Sequence, residues 1–337
     1  MNATLLISSI GRRTQLTECF QQALEGLGLE GRILGADASP EFAPAAYLTD
    51  ETFSVPRCSD HEFIPAMLAL CRSEEVKLLI PTIDPELPLY ASHRRAFEDI
   101  GTMVAVSAPE TVDIAGDKSE TNRWMAERGF PTLLQASPEG VMANAASWKF
   151  PLILKPRRGS ASAGVQKVLS LAQLERASGG EQTMLVEEFA RGEEHTINVY
   201  VNRSGKCLCA IPHQRVAVRA GEVSTGMTRK HAGMINLARR IAEGLPGAYG
   251  ALNIQCFLSE ESGIQVTEVN ARFGGGYPLA YRAGADFPTW LLREALGQSV
   301  EERFEAWQDR LLMLRHDTAI FVTPDDDQQQ MSDMREF

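Results

Sequence analysis

The residues best equipped for chemistry alternate along one stretch: Glu268, Asn270 and Arg272, within V-T-E-V-N-A-R-F-G-G-G-Y-P-L at residues 266–279. Val266 and Val269 bracket a short apolar strand, and a strand's period of two puts the three polar side chains on one face. A carboxylate, an amide oxygen and a guanidinium side by side suit a metal-bound phosphate. Hard oxygen ligands hold Mg²⁺, and arginine neutralises a phosphoryl group in transfer. Gly274, Gly275 and Gly276 then let the backbone turn sharply and approach a ligand. Taken alone, the same residues also fit a half-buried strand with a solvated polar face and a glycine loop.

Upstream residues extend the pattern. Lys155 follows an apolar strand and precedes Gly159, Ser160, Ala161, Ser162, Ala163 and Gly164. Free N–H groups in such a loop, with a lysine at its base, can wrap phosphate oxygens. The G-x-x-x-x-G-K-[ST] order of a P-loop is missing, which argues against a Walker-type site. Glu187, Glu188 and Phe189, followed by Glu193 and Glu194, can present backbone groups to an adenine ring and a carboxylate to ribose hydroxyls; the alternative is an exposed edge with solvated charges. Gln255 is a lone amide in an apolar strand, which costs free energy without a partner. His213, Gln214, Arg215, Arg219, Gly221 and Glu222 read as a charged turn between strands, suited to an acidic or polar substrate.

These residues need a scaffold. The first third of the chain alternates strands at 4–9, 32–35, 76–80 and 102–106 with helices, one of them over 63–71 with Ser59 and Glu62 offering a capping box. Such alternation builds a doubly wound parallel sheet, in which ligands collect beyond the carboxyl ends of the strands. Those ends carry Gly11, Arg12, Arg13, Asp37, Asp84 and Glu86. After the first strand, S-S-I-G-R-R-T lacks the glycines of a dinucleotide-binding turn, so a nicotinamide cofactor is not expected. Asp117-Lys118 opens a helix that Gly129 closes. Further strands are expected at 152–154, 196–201, 207–211 and 251–258, helices at 230–242 and 291–296, and closing strand structure at 311–322.

Composition narrows the function classes. With 337 residues the chain can bury a large core in two or three domains. Its net charge of -11 argues against a nucleic-acid partner, though local arginines still permit a small anionic substrate. Six scattered cysteines give neither a disulfide framework nor a zinc site. No apolar run reaches the length of a membrane span and no cleavable leader is visible, so the expectation is a cytoplasmic protein without membrane contact.

In order and spacing, Lys118, Lys155, the loop from Gly159 to Gly164, Glu187, Glu194, Gln255, Glu268, Asn270 and Arg272 resemble the ATP-grasp superfamily. Within it the likeness is to the synthetase modules of the carbamoyl phosphate synthase large subunit and the stand-alone proteins built like them. The resemblance covers residues 1 to about 323. It implies an α/β fold: a doubly wound parallel N-terminal sheet (1–112, the pre-ATP-grasp domain), then an α+β ATP-grasp fold of two subdomains (113–323). The smaller, lid-bearing subdomain would span 113–190 and the larger 191–323. Residues 324–337, rich in Asp and Gln, read as a disordered tail.

Carried over residue by residue, the resemblance implies that Lys118 and Lys155 contact the ATP phosphates and that Gly159, Ser160, Ser162 and Gly164 close over them. Glu187, Glu188 and Phe189 would line the adenine pocket, and Glu194 would hold the ribose. Gln255, Glu268 and Asn270 would bind Mg²⁺, with Mn²⁺ as the alternative ion. Arg272 would stabilise the transferred phosphoryl group beside Lys155 and Asn270. Arg12, Asp84, Glu86, Arg215, Arg219 and Gly275 are the substrate candidates by position. The implied reaction turns a small-molecule carboxylate into an acyl phosphate that an amine then attacks. One module cannot perform two phosphorylations in tandem, so carbamoyl phosphate synthesis by this chain alone is not expected. A kinase releasing the acyl phosphate and a regulatory module without turnover are the alternatives. The resemblance also admits a homodimer.

Overall fold

The computed structural model describes residues 3–159, 163–179, 183–304 and 306–323. The expectations for Ser160 and Ser162 and for the tail at 324–337 therefore lie outside the described residues.

The N-terminal sheet is parallel, in the order β3-β2-β1-β4-β5. Its strands are β1 (Leu5–Ser8), β2 (Ile33–Asp37), β3 (Glu51–Ser54), β4 (Leu78–Ile80) and β5 (Met103–Val104), with helices α1 (Thr14–Gly26), α2 (Phe63–Ser73) and α3 (Leu87–Glu98). β1 and β4 are buried throughout, which is why they read as continuous apolar runs. β3 went unread because its burial is partial and its residues, E-T-F-S, carry little apolar signal. The capping box expected at Ser59 and Glu62 does not form; Glu62 is itself the N-cap, without a side-chain cap bond. Pro65 sits in the first turn, where a missing N–H removes no intrahelical bond.

Helices α4 (Pro109–Gly116) and α5 (Lys118–Glu127) follow, α5 capped by Asp117, whose carboxylate accepts from the Ser119 and Glu120 N–H groups. A four-stranded sheet comes next, ordered β6-β9-β7-β8. It is made of β6 (Gln135–Ala136), β7 (Leu152–Pro156), β8 (Gln166–Val168) and β9 (Met184–Glu188), with helices α6 (Pro138–Ala143) and α7 (Leu171–Ala177). This layer has its own small core of Val141, Leu152, Leu154, Val168, Leu174 and Val186. Val112 of α4 and Trp124 and Met125 of α5 instead join the core beneath the following sheet.

That third sheet is antiparallel, in the order β14-β13-β10-β11-β12-β15. Its strands are β10 (Glu193–Val201), β11 (Cys207–Arg219), β12 (Glu222–Thr228), β13 (Gly250–Ser259), β14 (Gly263–Asn270) and β15 (Leu312–Leu314). Helices α8 (Ala232–Gly244), α9 (Tyr277–Arg282) and α10 (Phe287–Ala295) complete it. Two expectations change here. β11 runs on through His213 and Arg215 to Arg219, so these residues lie on a strand and the turn is confined to Ala220 and Gly221, both at positive φ. Among the described residues, strand structure after residue 311 is limited to β15.

All six cysteines are free. No helix among the described residues is long and apolar enough to cross a membrane.

One buried group ties β1 to β4. Glu86 is fully buried, and its carboxylate accepts from Ser8 Oγ (2.6 Å), Ser9 Oγ (2.9 Å), Thr82 N (2.5 Å) and Ile83 N (3.1 Å). Burial raises its pKa although these four donors pull the other way. The native state thus holds this proton more tightly than the unfolded chain, so the contribution of Glu86 to stability is present at low pH and declines as pH rises from the ordinary carboxylate range through the raised value. Glu86→Ala is expected to lower unfolding stability by roughly 3 kcal/mol in urea titrations, because buried donors lose their acceptor. Glu86→Gln should lose less and flatten that part of the pH dependence.

Candidate functional site

A cleft of about 370 Å³ opens where the three sheets meet. β13 and β14 form one wall, and their antiparallel register sets Gln255 opposite Glu268 and Asn253 opposite Asn270. All four side chains line the cleft. Asn270 Nδ2 donates to Asn253 Oδ1 (3.2 Å), and Asn253 Nδ2 donates to the Arg272 carbonyl (3.1 Å). The Glu268 carboxylate and the Gln255 amide make no hydrogen bond with any described residue, which leaves their oxygens open to a cation.

This oxygen-only donor set fits Mg²⁺. Among the described residues no cluster of three or more His, Cys, Asp or Glu forms a protein-only metal cage.

Arg272 lies just beyond the end of β14 and reaches into the N-terminal sheet's territory. Its Nε and Nη2 donate to the two carboxylate oxygens of Asp84 at 2.8 and 2.6 Å. The pair is bidentate and part-buried, so it fixes the guanidinium plane as well as its charge. Asp84 therefore belongs to the site through Arg272, whereas Glu86 is turned inward and is not available to a substrate.

The opposite wall comes from the small sheet. Lys155 Nζ donates to Glu187 Oε2 (2.7 Å), both side chains being buried. The Glu187 carboxylate is thus engaged by Lys155, and Glu188 accepts from the Leu134 N–H (3.2 Å). Phe189 and Ala190 continue the lining, with the Lys167 ammonium 4.2 Å above the Phe189 ring. Lys118 Nζ donates to the Gly159 carbonyl (2.6 Å), tying the start of α5 to the loop after β7. Gly159 lines the cleft at φ +115°, a conformation side chains rarely adopt. Gly164 also has positive φ, and a Cβ there would lie 2.9 Å from Pro156.

At the far end, Arg215 Nε stands 2.8 Å from Glu194 Oε1, and Arg215 Nη2 donates to the Gly221 carbonyl. Glu194 itself does not line the cleft; Thr196, two residues on, does so with a buried hydroxyl that lacks a partner among the described residues. The structure moves two further substrate candidates away, after Glu86. Arg219 is exposed and ion-paired to Asp317, and Arg12 is exposed at the start of α1. Arg13 lines the cleft instead, donating to the Thr82 carbonyl (2.9 Å) and standing 3.9 Å from Glu222. Burial, and after it the charge of Arg272, lowers its pKa.

Glu222 and the glycine run meet closely. Its carboxylate accepts from Arg315 Nη1 (2.8 Å), while Arg315 Nη2 donates to the Gly275 carbonyl (2.5 Å). A Cβ on Gly275 would lie 2.5 Å from the Glu222 carboxyl carbon, and one on Gly276 would lie 2.8 Å from His213 Nε2. His213, read from sequence as part of a charged turn, is fully buried, and burial pushes its pKa down to about 3. It is a neutral packing surface for the glycines.

Sequence reasoning missed Arg158, Thr196, Asn253 and Arg315, and it named Arg13 and Glu222 only as a strand-end and a turn residue, without assigning either to the site. Asn253 was recoverable: it lies two residues before Gln255 on the same strand face. Charge in the cleft runs against that of the chain as a whole. Arg13, Lys118, Lys155, Arg158, Arg215 and Arg272 line it, six basic groups against the four acidic groups Glu187, Glu188, Glu222 and Glu268. A polyanion the size of a nucleotide suits that balance.

Comparison with known proteins bears on the fold and the family. Residues 5–105 match the family described as "PylC-like, N-terminal domain", and residues 180–318 that described as "ATP-grasp in the biosynthetic pathway with Ter operon". D-alanine–D-alanine ligase of Ralstonia pickettii is 33% identical over 115 residues, covering 31% of this chain and 33% of that protein. Phosphoribosylamine–glycine ligase of Escherichia coli is 24% identical over 284 residues, covering 73% of this chain and 65% of that protein. The chain thus spans less than two thirds of the curated relatives it matches. Among solved structures, the biotin carboxylase domain of Hydrogenobacter thermophilus 2-oxoglutarate carboxylase, a dimer in complex with MgADP, ADP and bicarbonate, superposes with a TM-score of 0.74 at 16% identity. That match covers 91% of this chain and 72% of the other, and the likeness is one of fold. A parallel N-terminal sheet followed by two antiparallel layers that close on a cation-rich cleft, together with these family matches, makes the chain a member of the ATP-grasp superfamily.

Proposed function

We propose that this chain is an ADP-forming ligase that activates a small-molecule carboxylate as an acyl phosphate and passes it to an amine. The observation that carries this reading is the convergence on one cleft of the Lys155 loop, the open Glu268 and Gln255 oxygens, and Arg272. In this reading Lys118, Lys155 and the loop after β7 hold ATP phosphates, with Phe189 and Ala190 against the base. Mg²⁺, held by Glu268, Gln255 and Asn270, supplies charge neutralisation to the phosphate oxygens.

The substrate carboxylate oxygen attacks the γ-phosphorus, the bond to the β,γ-bridging oxygen breaks, and ADP departs. Arg272, oriented by Asp84, stabilises the transferring group. The amine nitrogen then attacks the acyl carbon and phosphate leaves with the bonding pair. Because the chemistry belongs to the phosphates, the protein's part is positioning and charge, and no nucleophilic side chain is required. The loop after β7 would limit the water that hydrolyses the intermediate.

Arg13 is the cleft arginine without a carboxylate in hydrogen-bond range, so we assign it, rather than Arg12 or Arg219, to the substrate's anionic group, with Arg215 farther along the cleft. The free cysteines fit a reducing, cytoplasmic compartment. A homodimer remains part of the proposal, supported by the dimeric neighbour.

Two measurements test the reading. Release of ADP from MgATP should depend on one acid among pooled carboxylates, with a condensed mass appearing once an amine is supplied. Glu268→Ala should cut that release by ~100-fold or more while leaving the unfolding midpoint unchanged; full turnover in the variant would overturn the metal assignment. Arg13→Ala should raise KM for the acid by about tenfold or more and leave KM for ATP alone, whereas Arg12→Ala should do neither. Equal effects of the two substitutions would remove Arg13 from the substrate site.

A further inference from the structure

A second cavity, of about 390 Å³, lies between α1, α9 and β15 and is separate from the cleft. Leu279, Leu311 and Met313 form an apolar floor, and Glu18 and Arg282 stand at the rim. These two charges make no hydrogen bond or ion pair with any described residue. Cys19 lines the same cavity beside them. The volume falls within the range of small-molecule sites, about 300–1,000 Å³. An occupant complementary to it carries an anion for Arg282, a cation for Glu18 and an apolar body for the floor.

Each wall runs directly into the cleft. The N-cap of α1 is Arg13, and the N-cap of α9 is Gly276. β15 pairs with β12 through Thr225 and Leu314, and the next residue, Arg315, holds both Glu222 and the Gly275 carbonyl. A molecule wedged among the three elements therefore bears on Arg13, the glycine run and Glu222 together.

We propose that this cavity is an effector site for a small zwitterion of the apolar α-amino acid class, whose occupancy alters ligand affinity in the cleft. The binding site stands apart from the reaction proposed above; only the coupling touches it. Titration calorimetry of the full chain with each common free L-amino acid, with and without MgADP, tests it. At least one apolar amino acid should bind with one-to-one stoichiometry and shift MgADP affinity severalfold.

Glu18→Lys and Arg282→Glu should each weaken the amino acid by about tenfold or more, since each removes a charge-assisted contact. Both changes are at exposed positions, so the unfolding midpoint and MgADP affinity without amino acid should hold. Binding that survives both changes, or is lost only in Arg13→Ala, would place the amino acid elsewhere and overturn the proposal, as would no binding at all. An unmoved MgADP affinity would overturn the coupling. Amino acid binding that follows Glu18 and Arg282 in a chain that fails to bind MgADP would uphold the cavity and sink the ligase reading instead.

Discussion

The cross-strand register of β13 and β14 is the constraint on which the candidate site rests. It brings Gln255 against Glu268 and Asn253 against Asn270, so that an amide and a carboxylate share one patch of sheet. A slip of one residue would send all four to the opposite face. That face is not free to receive them. Ile254, Cys256, Val266 and Val269 fill it and are buried in the core beneath α4, α5 and α8. Hydrophobic packing on one side of a sheet thereby fixes ligand geometry on the other, and the irregularity after Gln255 adjusts the pairing without reversing it.

A second physical demand is met by mutual pairing of charges. Lys155 with Glu187, Arg272 with Asp84, Arg215 with Glu194 and Arg315 with Glu222 each join a cation to a carboxylate at 2.6–2.8 Å. Leaving any of these partly buried groups alone would be costly. With these pairs made, basic groups still outnumber acidic ones along the cleft lining.

Much of this was legible in the sequence, and the reasons differ by residue. Glu268 and Asn270 alternate on a strand, so their common face follows from backbone geometry alone. The parallel sheet declared itself through buried strands with no polar interruption. Direction within loops did not. Arg12 and Arg13 are neighbours at the same strand end, and only the start of α1 decides which one enters the cleft. Asp84 and Glu86 follow β4 almost together, yet one meets Arg272 and the other turns inward to Ser8 and Thr82. Charged residues along the far half of β11 imitated a turn because that half is exposed and loses the apolar signal. In each case the missing information was tertiary: which neighbour a side chain finds after the layers have closed.

The pairing of Arg272 with Asp84 has an evolutionary reach. The guanidinium that faces the cleft belongs to the antiparallel sheet, but the carboxylate that sets its plane belongs to the parallel one, 188 positions earlier in the chain. Arg13 crosses the same boundary toward Glu222. A transplanted N-terminal layer would keep these two contacts only if it carried an acid where Asp84 stands and a base where Arg13 stands.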